Sequence, residues 1–520
     1  MPQTAMSAQA AFEERRDVPR STVLGTALAA GVPSLAAVAV GGSSLGFLLW
    51  YAAVTRLNGA VGVDATFVAA LVAGLALAFA GWYGYGLYFS RRAGVERPAA
   101  LQWDALSWLA LAVYPLAFVL PLSVVTPSRA SFAALALWAL AKLLVAARFV
   151  PTVRDVLLTF VATRAAIIVI AELAAAMIGQ RPGQHVAASS NPLLAVWGRW
   201  DAVHYLDIAR HGYYGTDMAF FPLYPAAIHV IGSWIGNQLV AGLLISNAAL
   251  FFGLLFFYKL VEHQYTRAVA HRAIFYVSIF PTALFFSAVY TESLFFALTV
   301  ASFYYIREHK WLAAGALGGL AALTRVEGVL LFVPYVMEAY APAGIGSWKD
   351  LFAGRARTLR VVAGALFIPL GLFVYMALLW VMRGDPLYFS HVQAHWNRHL
   401  APPWVSIRHS IVLLTTSHVP TTIAGQALEL AFTALMIAVL VAGFKRLRPS
   451  FAAYMALSIA VPMSTSSLMS MPRFALVLFP MFVILALWGG KAWVNNAIVA
   501  FSLPLLGLFT VLFADWYWVA

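Results

Sequence analysis

The chain has 520 residues, of which 62% are hydrophobic and only 10% charged, and its formal net charge is +13. Several apolar runs reach the ~20 residues that a membrane-spanning helix needs, and without an alternating barrel pattern the predicted fold is an all-α polytopic membrane protein. Lys and Arg cluster in short loops, as in cytoplasmic loops that face anionic lipid, so the positive charge does not indicate nucleic acid. The absence of cysteine excludes disulfides, thiol nucleophiles and thiolate metal sites.

The N-terminal part of the chain is predicted to be a tail followed by an accessory bundle. Residues 1–22 are polar and mixed in charge, which favours a cytoplasmic tail over a signal peptide. Residues 23–150 hold four apolar runs, interpreted as an accessory transmembrane bundle, and a fifth run opens a core over residues 151–520. The five predicted spans are about 33–55, 63–89, 105–125, 130–148 and 156–179.

The fifth span leads into a long polar segment, residues 180–237, which is predicted to be extracytoplasmic and to hold short interfacial helices. Ten further apolar runs bring the predicted number of transmembrane helices to about 15. Their predicted bounds are about 238–260, 273–289, 293–306, 311–324, 328–341, 361–382, 422–444, 451–465, 474–489 and 495–514. Those of only ~14 to 15 residues are expected to be broken or re-entrant.

The loops alternate in charge along this series of spans. The basic loops, such as the one with Arg307 and Lys310, fall on one side and are assigned to the cytoplasm. The polar residues of the other set are therefore assigned outside. They are Asp201, Glu292, Arg325, Glu327, the loop 383–404 and Arg473.

The sequence WGRWDAVHYLDIARHGYY from Trp197 concentrates acids, histidines and aromatic residues between two spans. On a helix that begins near Trp200, Asp201 shares a face with His204 and Tyr205. A carboxylate there can accept a proton from a substrate hydroxyl, and partial burial raises its pKa toward the useful range. The alternative is an aspartate that only caps an interfacial helix.

Histidines in two places raise the question of a metal. His204, Asp207 and His211 fall at positions i, i+3 and i+7, a set that suits zinc or iron, although such residues can equally form the solvated face of the helix. His391, His395 and His399 form a second stripe in an outer loop, and a solvated role is favoured for them. The prediction is that the protein binds no metal and no other cofactor.

Two arginines are predicted near the same membrane face as Asp201. Arg473 needs a carboxylate or a phosphate as partner at that depth, unless it extends to the lipid headgroups. Arg325 and Glu327 are two positions apart and do not face each other on one helix, so other partners are expected for them.

The motifs together resemble a known family. RWDAVHYLDIARHGY followed by FFPLYP is similar to the signature of the PIG-V family, mannosyltransferases that add the second mannose during glycosylphosphatidylinositol assembly. Three further segments agree in order: SIFPTALFFSAVYTESLF from Ser278, LTRVEG from Leu323 and SMPRFALVLFP from Ser470. The resemblance runs from about Asp155 to the C-terminus, and the first four spans have no counterpart in it.

The resemblance implies a GT-C type glycosyltransferase that transfers a sugar, with mannose expected, from a polyprenyl-phosphate donor to a lipid, glycan or protein acceptor. The site is expected on the extracytoplasmic face of a bacterial plasma membrane. Asp201 matches the family's general base, and Arg473, then Arg325, would stabilise the leaving phosphate. The expected substrate-binding residues are His204, Tyr205, Glu292, Arg325, Gln393, Trp396 and Arg473.

Two other function classes stay open at this point. About 15 spans with intramembrane charges also suit a transporter, although its critical charges should lie near the bilayer midplane. The set His204, Asp207 and His211 would instead suit a metal-dependent membrane hydrolase.

Overall fold

The structure, a computed structural model, describes residues 127–178, 188–340 and 355–519. The chain divides into two units, Met1–Val153 and Arg154–Ala520. The predicted N-terminal tail and the first three predicted spans lie outside the described residues.

The regular structure of the described residues is helical, and their one β-type pairing is an isolated antiparallel bridge between Leu400 and Thr465. The α-helices are α1 (Pro127–Phe149), α2 (Pro151–Met177), α3 (Pro192–Ala195), α4 (Asp201–His211), α5 (Leu223–Ile235), α6 (Gln238–Gln264), α7 (Arg267–Ser278), α8 (Glu292–Arg307), α9 (Trp311–Ala322), α10 (Phe332–Tyr340), α11 (Arg355–Arg383), α12 (Tyr388–His391), α13 (Pro403–Thr416), α14 (Pro420–Gly443), α15 (Pro449–Met463), α16 (Met471–Val477), α17 (Phe479–Trp488) and α18 (Ala492–Ala514). Short 3-10 helices cover Val196–Gly198, Gly215–Ala219, Ala283–Phe286, Val326–Leu331, Val392–Trp396 and Phe444–Arg446.

Five of these helices are long and apolar enough to cross a membrane: α2, α6, α11 from Thr358, α14 with the 3-10 turn after it, and α18. The pair α16 and α17, bent by 74°, is a sixth candidate span. The chain is thus a helical integral membrane protein, as predicted. Several of the predicted spans correspond instead to short helices, of which α9 has 12 residues and α10 has 9.

The predicted span 273–289 is wrong as a continuous helix. Helix α7 ends at Ser278, and the chain then runs without α-helix to Thr291, apart from one 3-10 turn. Pro281 explains the break, because proline lacks an N–H and disfavours helical backbone in the residue before it. We call residues 279–291 the broken segment.

A buried arginine on α2 satisfies the backbone of the broken segment. The side chain of Arg164, which is 3% exposed, donates to the carbonyl of Ala283 at 2.8 Å and to that of Ser278 at 2.6 Å. Ser293 Oγ donates to the carbonyl of Phe286 at 2.7 Å. Non-helical backbone at membrane depth is tolerated only where such protein groups replace the missing helical hydrogen bonds.

The bent pair α16 and α17 is a second interrupted membrane segment, and a buried carboxylate holds its start. The two oxygens of Glu429 on α14 accept the N–H groups of Ser470 and Met471, each at 2.8 Å. Pro480 separates α16 from α17, since inside one continuous helix it would clash with the preceding turn. Thr282 of the broken segment donates to the carbonyl of Pro472 at 2.9 Å, so the two interrupted segments contact each other directly.

Helices α9 and α11 pack closely along a row of glycines. A Cβ at Gly315 would lie 2.0 Å from the carbonyl oxygen of Gly364, and one at Gly371 would lie 2.0 Å from that of Gly319. Small residues allow membrane helices to approach backbone to backbone. This packing fixes the short α9, and therefore the Arg325 turn that follows it.

A separate polar cluster lies at the far end of α8. Glu338, buried on α10, accepts from Arg307 at 3.1 Å and from Arg448 at 3.0 and 3.1 Å, and Ser450 Oγ also donates to it. Arg307 is the last residue of α8 and Glu292 is the first. The two ends of this one buried helix thus carry two distinct charge clusters.

Candidate active site

Asp201 lies at the first position of α4, directly after a residue with unusual backbone geometry. Trp200 has φ of 57°, which is uncommon for a residue other than glycine. Its ring packs against Trp516 and Trp518 with centroids 5.7 and 5.3 Å apart. The hydroxyl of Tyr290 accepts a hydrogen bond from the Asp201 N–H at 3.2 Å and donates one to the carbonyl of Arg199 at 3.2 Å. These tertiary contacts maintain the strained turn and fix where the Asp201 side chain begins.

Arg473 connects Asp201 to Glu292. Its Nη1 donates to Asp201 Oδ2 at 2.6 Å, while Nε and Nη2 both donate to Glu292 Oε1, at 2.9 and 2.7 Å. The Arg473 side chain is 7% exposed and that of Glu292 is fully buried, but Asp201 retains 27% of its side-chain exposure. The guanidinium also lies over the rings of Tyr290, Phe285 and Trp518. Asp201 is therefore the accessible carboxylate of this group.

Arg325 completes the group from the turn after α9. It donates to Glu292 Oε1 at 3.0 Å and lies 3.5 Å from Glu327. The prediction that Arg325 needs another partner is confirmed by Glu292, but the prediction that it does not face Glu327 is wrong, because the backbone at Arg325 is extended and not helical. We call Asp201, Glu292, Arg325, Glu327 and Arg473 the charge cluster. It contains three carboxylates and two guanidinium groups.

A third arginine, not singled out from the sequence, lies beside the charge cluster. Arg398 sits in the outer loop, where Ser466 Oγ donates to the carbonyl of its neighbour Asn397 at 3.0 Å. Burial lowers the pKa of Arg398, while the carboxylates of Glu327 and Glu429 act against this shift. Within the described ranges its guanidinium has no hydrogen-bonded carboxylate, unlike those of Arg325 and Arg473.

His204 lies one turn after Asp201 on α4 and is paired with Asp217. His204 Nδ1 is 2.7 Å from Asp217 Oδ1. The imidazole stacks on Phe220 with centroids 4.7 Å apart and meets the edge of Trp396 at 6.4 Å. Burial acts to lower the pKa of His204, but the hydrogen bond and charge of Asp217, with smaller contributions from Asp201 and Asp207, raise it above its usual value.

Tyr205, predicted to bind substrate, points into the protein. Its hydroxyl is 3.4 Å from Thr291 Oγ1. Its ring packs against the rings of Phe220 and Tyr224, with centroids 5.1 and 5.3 Å apart. The structure thus gives Tyr205 a place in the aromatic core behind Asp201 and His204.

The outer loop after α11 reaches α4 through Trp396, and Gln393 lies half-buried in the same 3-10 turn. The loop is held by the polar run before α16, since the N–H of Ser466 donates to the carbonyl of His399 at 2.9 Å. The three histidines of the loop are exposed, and His391 pairs with Asp385 at 2.7 Å. Segments that the charge alternation assigned to one side are therefore adjacent in the structure.

The alternative metal set of His204, Asp207 and His211 is not assembled. His204 is paired with Asp217, whereas His211 is paired with Asp207 at 2.8 Å on the exposed side of α4. In the part of the chain that the structure describes, no three His, Asp or Glu side chains are grouped as metal ligands.

Asp217, Glu429 and Arg398 are the polar residues of this region that sequence reasoning did not select. Asp217 follows His204 by 13 positions, and only its place between the two signature strings RWDAVHYLDIARHGY and FFPLYP marked it. Glu429 lies inside a predicted span, where an ionisable residue is by default a sign of a role. Arg398 carried no signal beyond its position in the outer loop.

Part of the chain matches a known protein family. The family model described as mannosyltransferase (PIG-V) matches residues 133–341, which include Asp201, His204, Glu292 and Arg325 but not Arg473. No solved structure matches the chain.

Curated relatives are similar over part of the chain. GPI alpha-1,6-mannosyltransferase 2 of Mus musculus is 30% identical over 207 residues, 36% of this chain and 41% of that protein. The Rattus norvegicus protein of the same name is 30% identical over 285 residues, 42% of this chain and 57% of its own length. GPI mannosyltransferase 2 of Schizosaccharomyces pombe is 28% identical over 175 residues, 32% and 37% of the two chains. The chain thus spans between 37% and 57% of the length of these relatives.

Proposed function

We propose that this chain, which the family model described as mannosyltransferase (PIG-V) matches over residues 133–341 in agreement with the resemblance found in its sequence, is an inverting glycosyltransferase. It transfers a sugar from a polyprenyl-phosphate donor to a lipid, glycan or protein acceptor. Mannose is the sugar that the family resemblance implies. The proposed site is the charge cluster with His204, on the extracytoplasmic face of a bacterial plasma membrane, within a GT-C-like core.

The observation that carries this proposal is the setting of Asp201. It is the one carboxylate of the Asp201–Arg473–Glu292 group that remains accessible, and it begins a helix whose next turn presents His204. A general base needs a fixed carboxylate with one face open to the hydroxyl that it deprotonates. Arg473 occupies Oδ2, so Oδ1 is the proposed acceptor of the proton.

The proposed chemistry is a single displacement at the anomeric carbon. The acceptor oxygen attacks as Asp201 takes its proton, and the bond from the anomeric carbon to the phosphate oxygen breaks with its electron pair leaving on the phosphate. Charge therefore builds on the phosphate, and fixed cations stabilise it.

The arginines differ in their suitability for that phosphate. Arg473, the first candidate from the sequence, already donates to two carboxylates through three nitrogens. Arg325 donates through Nη1 and lies near Glu327 through Nε, which leaves Nη2 for a ligand. We place Arg325 and Arg398 at the phosphate and assign Arg473 to fixing Asp201, because Nη2 of Arg325 and the guanidinium of Arg398 keep donors that no carboxylate occupies among the described residues.

The acceptor is proposed only by class. The names of the relatives refer to glycosylphosphatidylinositol mannosyltransfer, but the chain covers at most 57% of the three relatives compared. The transporter and hydrolase alternatives are less well supported, since the charge cluster lies at one end of α8 and His204 and His211 have separate partners.

A transfer assay with paired variants tests the proposal. Membranes containing the full chain are incubated with radiolabelled polyprenyl-phosphate mannose, and label is followed into lipid and protein fractions. For Asp201→Asn we expect turnover to fall by roughly two to four orders of magnitude, the usual contribution of a general base. Asp207→Asn, on the exposed side of the same helix, is the matched control and should transfer label normally.

Two results would count against the proposal. Transfer by well-folded Asp201→Asn at the wild-type rate would remove the base assignment. Failure of the wild-type chain to transfer label from any polyprenyl-phosphate sugar would remove the reaction class.

A further inference from the structure

The pair His204–Asp217 contains a proton-accepting atom that the proposed mechanism does not yet use. An ionised carboxylate only accepts hydrogen bonds, so Asp217 holds the proton of His204 on Nδ1. The lone pair of the neutral imidazole is then on Nε2. Within residues 127–178, 188–340 and 355–519 the structure gives that nitrogen no partner.

The ring of His204 is held rigidly on three sides. Asp217, which is 9% exposed, fixes its Nδ1 edge. Phe220 lies parallel to one face with an interplanar angle of 18°, and Trp396 contacts it edge-on at 78°. The side chain nevertheless keeps 35% of its exposure. It is thus an oriented imidazole that still reaches solvent.

Asp201 and His204 are neighbours on one face of α4. Residues at positions i and i+3 have Cβ atoms about 5 to 6 Å apart, a span that one water molecule can bridge. The carboxylates of Asp201, Asp217 and Asp207 are the charged groups that act on His204, with Asp207 on the outer side of the helix. Asp201 accepts from Arg473 through Oδ2, so its Oδ1 is the oxygen that faces the acceptor hydroxyl in the proposed mechanism.

Above the second pKa of a phosphate monoester, about 6, the reaction releases one proton per sugar transferred, because the singly charged phosphodiester donor becomes a doubly charged monoester while the acceptor hydroxyl becomes a glycosidic oxygen. We propose that His204, oriented by Asp217, carries this proton. Asp201 first removes the proton from the acceptor hydroxyl. Nε2 of His204 then takes the proton from Asp201, directly or through one water, and passes it to solvent. The inference rests on the proposed function. Asp217 is a positioning residue in this scheme, since it acts through His204.

The pH dependence of transfer tests the proposal. Initial rates are measured with radiolabelled polyprenyl-phosphate mannose and host membranes as acceptor, from about pH 5 to about pH 9. His204 must be neutral to accept a proton, so the wild-type rate should fall as pH decreases through its pKa, which lies above the usual value. His204→Gln should lose this acid limb and at least about 100-fold in kcat, and added imidazole should restore part of the rate.

Asp217→Asn supplies a second test that keeps the imidazole. Loss of the carboxylate lowers the pKa of His204, so the acid limb should move to lower pH as kcat falls. The chain provides a matched control on the same helix, because His211 makes the same Nδ1-to-carboxylate contact with Asp207 at 2.8 Å while 62% exposed. His211→Gln should keep both the rate and the pH profile of the wild type.

The outcomes separate this proposal from the proposed function. If His204→Gln raises only KM and keeps the wild-type pH profile, while Asp201→Asn is inactive, the proton-carrying role is wrong and the base assignment stands. If Asp201→Asn retains turnover, the base assignment fails. An inactive His204→Gln beside an active Asp201→Asn would make His204 the base itself, which overturns the relay.

Discussion

Arg473 links the two carboxylates Asp201 and Glu292 of the charge cluster. It neutralises two carboxylates at once, and one of them, Glu292, is fully buried. Removing one partner of a buried ion pair leaves a charge without compensation, which is far more costly than the net contribution of the intact pair. The arginine is therefore expected to matter for folding as well as for chemistry.

A double-variant experiment separates these two effects. Arg473→Met should lower the free energy of unfolding by about 3 to 5 kcal/mol, because Glu292 loses one of its two cationic partners. Adding Glu292→Gln should recover a large part of that stability but none of the turnover, since Asp201 remains unfixed. Thermal melting in detergent and label transfer measure the two quantities. Equal stability of Arg473→Met and the wild type would contradict the ion-pair description.

The sequence predicted the members of the charge cluster better than their contacts. Asp201, Glu292, Arg325 and Arg473 were each assigned to one side of the membrane from loop charges and motifs. Their pairing could not be predicted, because Arg473 and Asp201 are 272 positions apart and meet only through the packing of interrupted segments. Arg398 was missed because it carried no signal beyond its position in the outer loop, and Asp217 because it meets His204 only after the chain turns back beyond α4.

At the scale of the elements, two interrupted membrane segments position the residues of the charge cluster. The broken segment contains Tyr290 and ends directly before Glu292, and the bent pair α16 and α17 contains Arg473. Apolar composition alone predicted a continuous span at 273–289. Hydropathy does not distinguish a helix from irregular backbone that is surrounded by protein, and the stabilising partner, Arg164, lies more than a hundred residues earlier.

Arg164→Met tests the bracing of the broken segment. The substitution leaves the carbonyls of Ser278 and Ala283 unpaired, and each buried acceptor without a partner costs about 1 to 3 kcal/mol. We expect unfolding to become easier by roughly 2 to 6 kcal/mol and turnover to fall because Glu292 is displaced. Arg154→Met, on the same helix with a side chain 59% exposed, is the control. A wild-type melting temperature for Arg164→Met would show that the broken segment is stable without the hydrogen bonds from Arg164.

At the scale of the whole molecule, we propose that the site faces the extracytoplasmic side. The native chain has no cysteine, so single cysteines can be labelled without background. Ser190→Cys and Lys445→Cys replace exposed residues that the charge alternation puts on opposite sides. In intact cells an impermeant maleimide should label Ser190→Cys only, and Lys445→Cys should react after permeabilisation. The reverse pattern would invert the topology and the proposed mechanism.

The length of α8 has a consequence for the surrounding lipid. This helix has 16 residues, or about 24 Å, between Glu292 in the charge cluster and Arg307 in the cluster around Glu338. A bilayer has a hydrocarbon core of about 30 Å, so this helix, which is buried among other helices, is about 6 Å shorter than that core. We therefore expect the site to lie below headgroup level, where a lipid-linked donor arrives from within the leaflet. Turnover should decrease as the acyl chains of reconstituted bilayers are lengthened, because the headgroups then move further from the site.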